Sequence, residues 1–128
     1  MFHLSDRSIN NMGAVDPRLV EIATRAIQIT KVDFGIPESG GLRTAEEQNR
    51  LFKDGKSKCD GYIRKSKHQD GKALDFYAYA GGKATWSVLC LAMVACAFFQ
   101  AAIELGYKIE WGGLWRSFED MPHIQLID

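Results

Sequence analysis

The reading of this chain turns on Ser66-Lys67-His68-Gln69-Asp70-Gly71-Lys72-Ala73-Leu74-Asp75, which sets a histidine and a carboxylate around a glycine and an alanine. It reads as half of a metal site. Side chains alternate faces along a strand, so Gly71, Ala73 and Asp75 are expected on one face. Ser66 and His68 are expected on the matching face of the preceding run, after a one-residue offset at Gln69-Asp70. The two small residues keep that face open. A zinc ion that does chemistry takes three protein ligands and keeps one vacant position. The third ligand is expected from Pro122-His123-Ile124-Gln125-Leu126, a second strand near the C-terminus. The expected site is His68, Asp75, His123 and a water.

Alone, a His and an Asp at this spacing fit equally well a hydrogen-bonded pair that ties two strands together. The wider pattern is more specific: Ser-x-His-x-x-Gly-x-Ala-x-Asp at 66–75, Trp-Gly-Gly-x-Trp at 111–115 and Asp-x-Pro-His at 120–123. With Arg43 in Gly-Leu-Arg-Thr-Ala-Glu-Glu-Gln, these motifs resemble the zinc D-Ala-D-Ala metallopeptidases. Within that family they are most similar to the phage-type L-alanyl-D-glutamate endopeptidases, over residues 30–128. The resemblance implies that His68, Asp75 and His123 bind zinc and that Asp120 is the general base. It also implies that Arg43 steadies substrate or oxyanion and that the Ser66 hydroxyl bonds substrate. Ile124 and Gln125 depart from it, since many relatives carry an aromatic residue and an acid there. That departure is expected to touch substrate fit and not ligation.

Spacing and resemblance disagree about the base. In one regular strand over 118–126, Glu119 and His123 would share a face and Asp120 would point away. Pro122 cannot donate to a ladder and restricts Met121, so regular pairing is expected to begin only at His123, which leaves Asp120 free to face the metal. Glu110 is a third, more distant candidate. Trp111 and Trp115 are open to two readings, core or groove wall, and both are carried as substrate-contact candidates.

Outside the motifs, Asp16-Pro17 predicts a helix over 17–30, with an N-cap and a proline at its first position. Its buried face is Leu19, Val20, Ile22, Ala23, Ala26, Ile27 and Thr30. Residues 32–36 read as a short strand. Thr44 and Glu47 form a capping box that starts a helix over 45–53, so Arg43 sits at an element boundary. Residues 55–65 form a polar loop beside the cleft. A strand is expected over 73–79, then a buried helix over 85–105 closed by Gly106. A strand with a glycine turn follows at Tyr107–Trp115, and a last strand at 124–127. The first fifteen residues, His3 among them, are assigned no element and no chemistry. Helices set apart from a few antiparallel strands predict an α+β domain over residues 1–128, with a small antiparallel sheet. The resemblance implies the same, the D-Ala-D-Ala metallopeptidase (hedgehog-like) fold.

At 128 residues the chain is long enough to bury a single core. Basic and acidic residues number 16 each, so no net field argues for a nucleic-acid partner. Cys59, Cys90 and Cys96 are odd in number, and Cys90 and Cys96 lie in one apolar run, so they are read as buried free thiols, which fits synthesis in a reducing cytoplasm. No basic segment followed by an apolar run opens the sequence, so no cleaved secretory signal is expected. Residues 86–103 carry no charge and would make a helix about 27 Å long, near the lower limit for a bilayer span. The flanking motifs must meet in one site, so this run is read as a buried core helix and not as a membrane span.

The resemblance therefore implies a zinc endopeptidase that cuts between L-Ala and D-Glu of the peptidoglycan stem peptide. It would act as a monomeric phage or prophage endolysin, made in the host cytoplasm and reaching the wall through a separate membrane-permeabilising partner. A D,D-carboxypeptidase or dipeptidase with the same zinc chemistry is the first competitor. A non-catalytic zinc-containing binding module is the second. Ser66 lacks a nucleophile elbow and Cys59 lacks a patterned base, so neither is expected to act as a nucleophile.

Overall fold

The computed structural model describes residues 1–128. Ser5 caps a first short helix, α1 (Asp6–Met12), by accepting from the Ser8 N–H. Asp16 caps α2 (Pro17–Ile29), whose buried Leu19, Ile22, Ala23, Ala26 and Ile27 recur at helical spacing. A short strand, β1 (Phe34–Gly35), leads through a loop to α3 (Ala45–Lys53), opened by the expected Thr44/Glu47 capping box. A single 3₁₀ turn at Lys67–Asp70 then precedes four elements, β2 (Ala73–Asp75), β3 (Tyr77–Ala80), β4 (Lys83–Thr85) and the long helix α4 (Val88–Leu105). The chain finishes with β5 (Ile109–Trp111), a 3₁₀ turn at Gly112–Leu114 and β6 (His123–Leu126).

The strands form two antiparallel three-stranded sheets, ordered β1-β3-β4 and β2-β6-β5. The single strand expected over 73–79 is therefore two strands in different sheets. The break falls at Phe76, which is fully buried and stacks its ring 5.3 Å from Phe98 of α4. Phe34 meets the same ring at 5.1 Å. Phe98 thus joins the two sheets, and α2 packs against α4 in the same core.

Strand parity divides the β2-β6-β5 sheet cleanly. Leu74, Ile124 and Leu126 face the core with Ile109 and Trp111, while Ala73, Asp75, His123, Gln125 and Glu110 share the opposite face. Helix α4 differs from its expectation in two ways. It starts three residues later, at Val88 behind the Ser87 cap, because 83–85 pair with β3 as a strand. It also buries only one side, which leaves Cys96 exposed and Cys90 half-buried where buried thiols were expected, although Gly106 closes the helix in the expected left-handed conformation.

Candidate metal centre

The Ser66–Asp75 stretch is not the pair of extended runs expected. Ser66 and Gln69 form a second capping box, Ser66 Oγ accepting from the His68 N–H and Gln69 Oε1 accepting from the Ser66 N–H. That box winds 67–70 into a 3₁₀ turn, which Gly71 closes at φ +69°, a left-handed conformation suited to glycine. The turn aims His68 inward, where it is buried, and leaves Asp70 exposed on the far side. Register does the rest, because Asp75 lies directly opposite His123 across the β2–β6 pair.

Three ligand atoms converge there, one each from His68, Asp75 and His123, all within 4.8 Å of one another. Asp75 Oδ1 lies 3.1 Å from His68 Nε2 and 3.3 Å from His123 Nδ1. The outer nitrogens decide which inner atoms carry lone pairs. His68 Nδ1 lies 2.9 Å from the Gly41 carbonyl, which can only accept, so Nδ1 holds the proton. His123 Nε2 lies 2.8 Å from Gln125 Oε1. The Gln125 amide is in turn oriented by its Nε2 donating to Glu110 Oε1 at 2.5 Å, so the His123 proton sits on Nε2. Both inner nitrogens then face a carboxylate oxygen with lone pairs, and a divalent cation satisfies that arrangement. The donor set fits a metal.

Charge follows the same geometry. Burial works against the Asp75 carboxylate, but His68, His123 and Arg43 outweigh it and hold its pKa well below the usual carboxylate range. For His123, burial is outweighed by the bond to Asp75, and the pKa rises. Asp120 is pushed up, first by burial and then by the Asp75 charge.

The other expected residues fall in two groups. Asp120, Ser66, Arg43 and Trp115 line one cleft with the three ligand residues. Asp120 Oδ2 lies 3.7 Å from His123 Nδ1, whereas Glu119 is exposed and outside the cleft. The irregular segment foreseen before Pro122 is present: 120–123 is a turn, the His123 N–H bonds the Asp120 carbonyl, and pairing starts at His123. Gly112 allows this, since a Cβ there would overlap the Asp120 carbonyl. Trp115 stands 5.1 Å from the His123 ring, on the groove wall. Trp111 does not reach the cleft. Its register partner is Ile124 on the core face, and its indole N–H donates to the Met121 carbonyl.

Arg43 is almost buried, and three of its five N–H groups already have protein acceptors. They reach Asp75 Oδ2 at 2.8 Å, the Ser39 carbonyl at 2.8 Å and Gln48 Oε1 at 3.1 Å. Gln48, fully buried, also donates to Ser57 Oγ and the Cys59 carbonyl, which ties α3 to the 55–65 loop. The sequence reading passed over Gln48 and gave Gln125 no role toward His123, although Gln125 stands at the i+2 spacing that puts it on the His123 face. The cleft encloses about 410 Å³, and Lys56, Lys58, Lys65 and Lys67 bring four positive side chains to its lining.

Known proteins resemble this chain along most of its length. The family model for phage L-alanyl-D-glutamate peptidase matches residues 1–127. The L-alanyl-D-glutamate peptidase of Escherichia phage T5 is 33% identical over 93% of this chain and 85% of its own. The peptidoglycan L-alanyl-D-glutamate endopeptidase CwlK of Bacillus subtilis is 32% identical over 75% of this chain and 62% of its own. Among solved structures, the Serratia marcescens L-Ala D-Glu endopeptidase ChiX superimposes with a TM-score of 0.84, at 34% identity, over 95% of this chain and 87% of that one. The expected α+β fold is thus the fold of a known L-Ala D-Glu endopeptidase.

Proposed function

The chain belongs to the phage L-alanyl-D-glutamate peptidase family, and from that premise we propose that residues 1–128 form one zinc-dependent domain that hydrolyses the L-Ala–D-Glu bond of the peptidoglycan stem peptide. The observation that carries this reading is the meeting of three lone-pair donors in a cleft that also holds the Asp120 carboxyl group, 3.7 Å from His123 Nδ1. His68 Nε2, Asp75 and His123 Nδ1 would hold the ion. Two imidazoles and a carboxylate are a donor set suited to catalytic zinc. When bound, zinc supplies Lewis-acid chemistry, acidifying water and polarising a carbonyl.

The chain's own residues do the rest. Asp120 takes the proton of the attacking water and returns it to the leaving amine, the task of a carboxylate held within reach of the ligand cluster. Arg43 acts as a positioning residue, its bond to Asp75 Oδ2 leaving Oδ1 turned toward the two histidines. The Ser66 hydroxyl, which accepts from the His68 N–H, keeps its own proton to donate to a substrate carbonyl. Trp115 forms an apolar wall beside His123. The lysine side chains suit an acidic peptide such as one that carries D-Glu. Relatives from two phages carry the peptidase name, which supports a lysin made in the host cytoplasm and released to the wall by a separate membrane-permeabilising partner.

Digestion of purified muropeptides followed by mass spectrometry tests the choice of bond. New N-terminal D-Glu is the expected product. Release of terminal D-Ala would move the assignment to a carboxypeptidase.

A further inference from the structure

The outer face of the β1-β3-β4 sheet carries a group of aromatic rings that the metal centre does not use. Parity along β3 sends Ala78 to the core and Tyr77 and Tyr79 outward. The β3–β4 register pairs Ala78 with Thr85, so its next step sets Trp86 opposite Tyr77. Their rings are 5.9 Å apart and 31° from parallel, and Tyr79 meets Tyr77 edge-on at 5.2 Å. Gly35, the β1 partner of Tyr77, lets the phenol lie across that strand, since a Cβ there would stand 2.7 Å from the Tyr77 hydroxyl. Trp86 is nevertheless 60% exposed. With Arg7 and Glu38 at its rim, the face forms a depression of about 320 Å³, at the small end of ligand-sized sites.

We propose that this face binds the glycan strand of peptidoglycan, with a pyranose ring lying on Trp86. The make-up of the face is that of a saccharide site. A pyranose carries C–H groups on its faces and hydroxyls round its edge, so it suits a flat aromatic ring with polar groups beside it. The Tyr77 and Tyr79 hydroxyls lie 2.8 Å apart, so one phenol donates to the other and the second keeps its proton for a ligand. Arg7 and Glu38 add a cationic donor and an anionic acceptor.

Position selects the occupant. Tyr77 stands two residues beyond the ligand residue Asp75, a separation of at most about 7 Å along the backbone. Adjoining depressions complete the path. Glu38 lines both the aromatic face and a neighbouring depression at α3, and Ser39 and Leu51 line both that depression and the catalytic cleft. The inference rests on the proposed hydrolysis of the L-Ala–D-Glu bond. The L-Ala side of that bond is joined to a sugar of the glycan strand through a single lactyl link, so a bound stem peptide brings the strand to the edge of the cleft. A ring-binding face on that path holds the strand while the metal centre cuts.

Two measurements on the full chain test this. NMR titration with chitotetraose, an N-acetylglucosamine tetramer that carries no peptide, should give saturable shifts at the Trp86 indole N–H and the Tyr79 amide. The Tyr79 shift should vanish in Trp86→Ala and persist in Trp86→Tyr, which keeps a ring. In hydrolysis, Trp86→Ala should cleave a stem peptide joined to a tetrasaccharide with about ten-fold lower kcat/KM than wild type, the loss falling on KM. The same variant should cleave the free stem peptide as wild type does. No shift at Trp86, or shifts confined to Trp115 in the cleft, overturns the proposal, and so does an equal effect of Trp86→Ala on the two substrates. If wild type leaves the L-Ala–D-Glu bond of both substrates intact, the proposed hydrolysis has failed, and the titration still upholds or overturns the glycan face.

Discussion

Asp75 and His123 stand directly opposite each other across the β2–β6 pair, His123 Nδ1 3.3 Å from Asp75 Oδ1. Two residues 48 positions apart are thereby fixed by a backbone register. A one-residue slip would send one of the two side chains to the core face. The site is therefore as stable as the pairing of its sheet. Its third member, His68, is supplied by a turn that the neighbouring backbone holds, the Arg43 N–H donating to the His68 carbonyl.

Removing a ligand should remove the metal. Asp75→Ala protein is expected to lose zinc by elemental analysis and to melt lower than wild type in zinc-containing buffer, because metal affinity for the folded form adds to folding stability. Asp70→Ala should keep its zinc, since Asp70 is exposed on the outer side of the turn. The reverse pattern would contradict the ligand assignment.

Removing the base should spare the metal. Asp120→Ala is expected to keep zinc and fold while losing on the order of 10²-fold or more in turnover. Glu119→Ala should be near normal, because Glu119 is exposed and outside the cleft. Steady-state hydrolysis of one muropeptide by both variants separates the two carboxylates.

Gln125 should act through His123. Gln125→Leu removes the acceptor that keeps the His123 proton on Nε2, so Nδ1 is no longer held as the free ligand atom. Loss of such a supporting partner commonly weakens metal affinity by about 10–100-fold. Competition with a zinc chelator measures it, and Gln125→Glu combined with Glu110→Gln, which keeps an acceptor for His123 and a donor–acceptor pair between 125 and 110, should recover most of the loss.

The Asp16 cap gives a pH-dependent term far from the site. Its pKa is lowered by the Arg18 side chain, then by Lys72, whose Nζ lies 2.8 Å from Oδ2. A depressed pKa contributes stability that is present above the unfolded value, about 3.9, and is lost as pH falls through the folded one. Asp16→Ala should therefore cost about 1 kcal/mol or more near neutrality, with the deficit shrinking below about pH 4. Urea melts of metal-free wild type and variant across that range read the difference.

Much of this was legible in the sequence, for identifiable reasons. Helices α2 and α3 were bounded by their own caps, Asp16-Pro17 and Thr44/Glu47, and such signals need no tertiary context. That His68, Asp75 and His123 come together was legible in the motifs, because few residue types can hold a metal ion. Helix α1 was missed because seven residues with only Ser8 and Met12 buried show no period, although Ser5 before it and Gly13 after it were a usable pair of signals. The break at Phe76 was invisible because an unbroken alternating run does not say which sheet each half joins. Trp111 stayed open between core and groove because its face depends on the register with β6, a long-range fact that spacing within Trp-Gly-Gly-x-Trp does not contain.

Zinc titration into metal-stripped protein, with hydrolysis of the L-Ala–D-Glu bond as the readout, tests the central claim most directly. The account predicts no turnover without metal, recovery in proportion to added zinc, and saturation at one zinc per chain. It also predicts no recovery in a His123→Ala protein. Full hydrolysis by the metal-free chain, or by that variant, would contradict it.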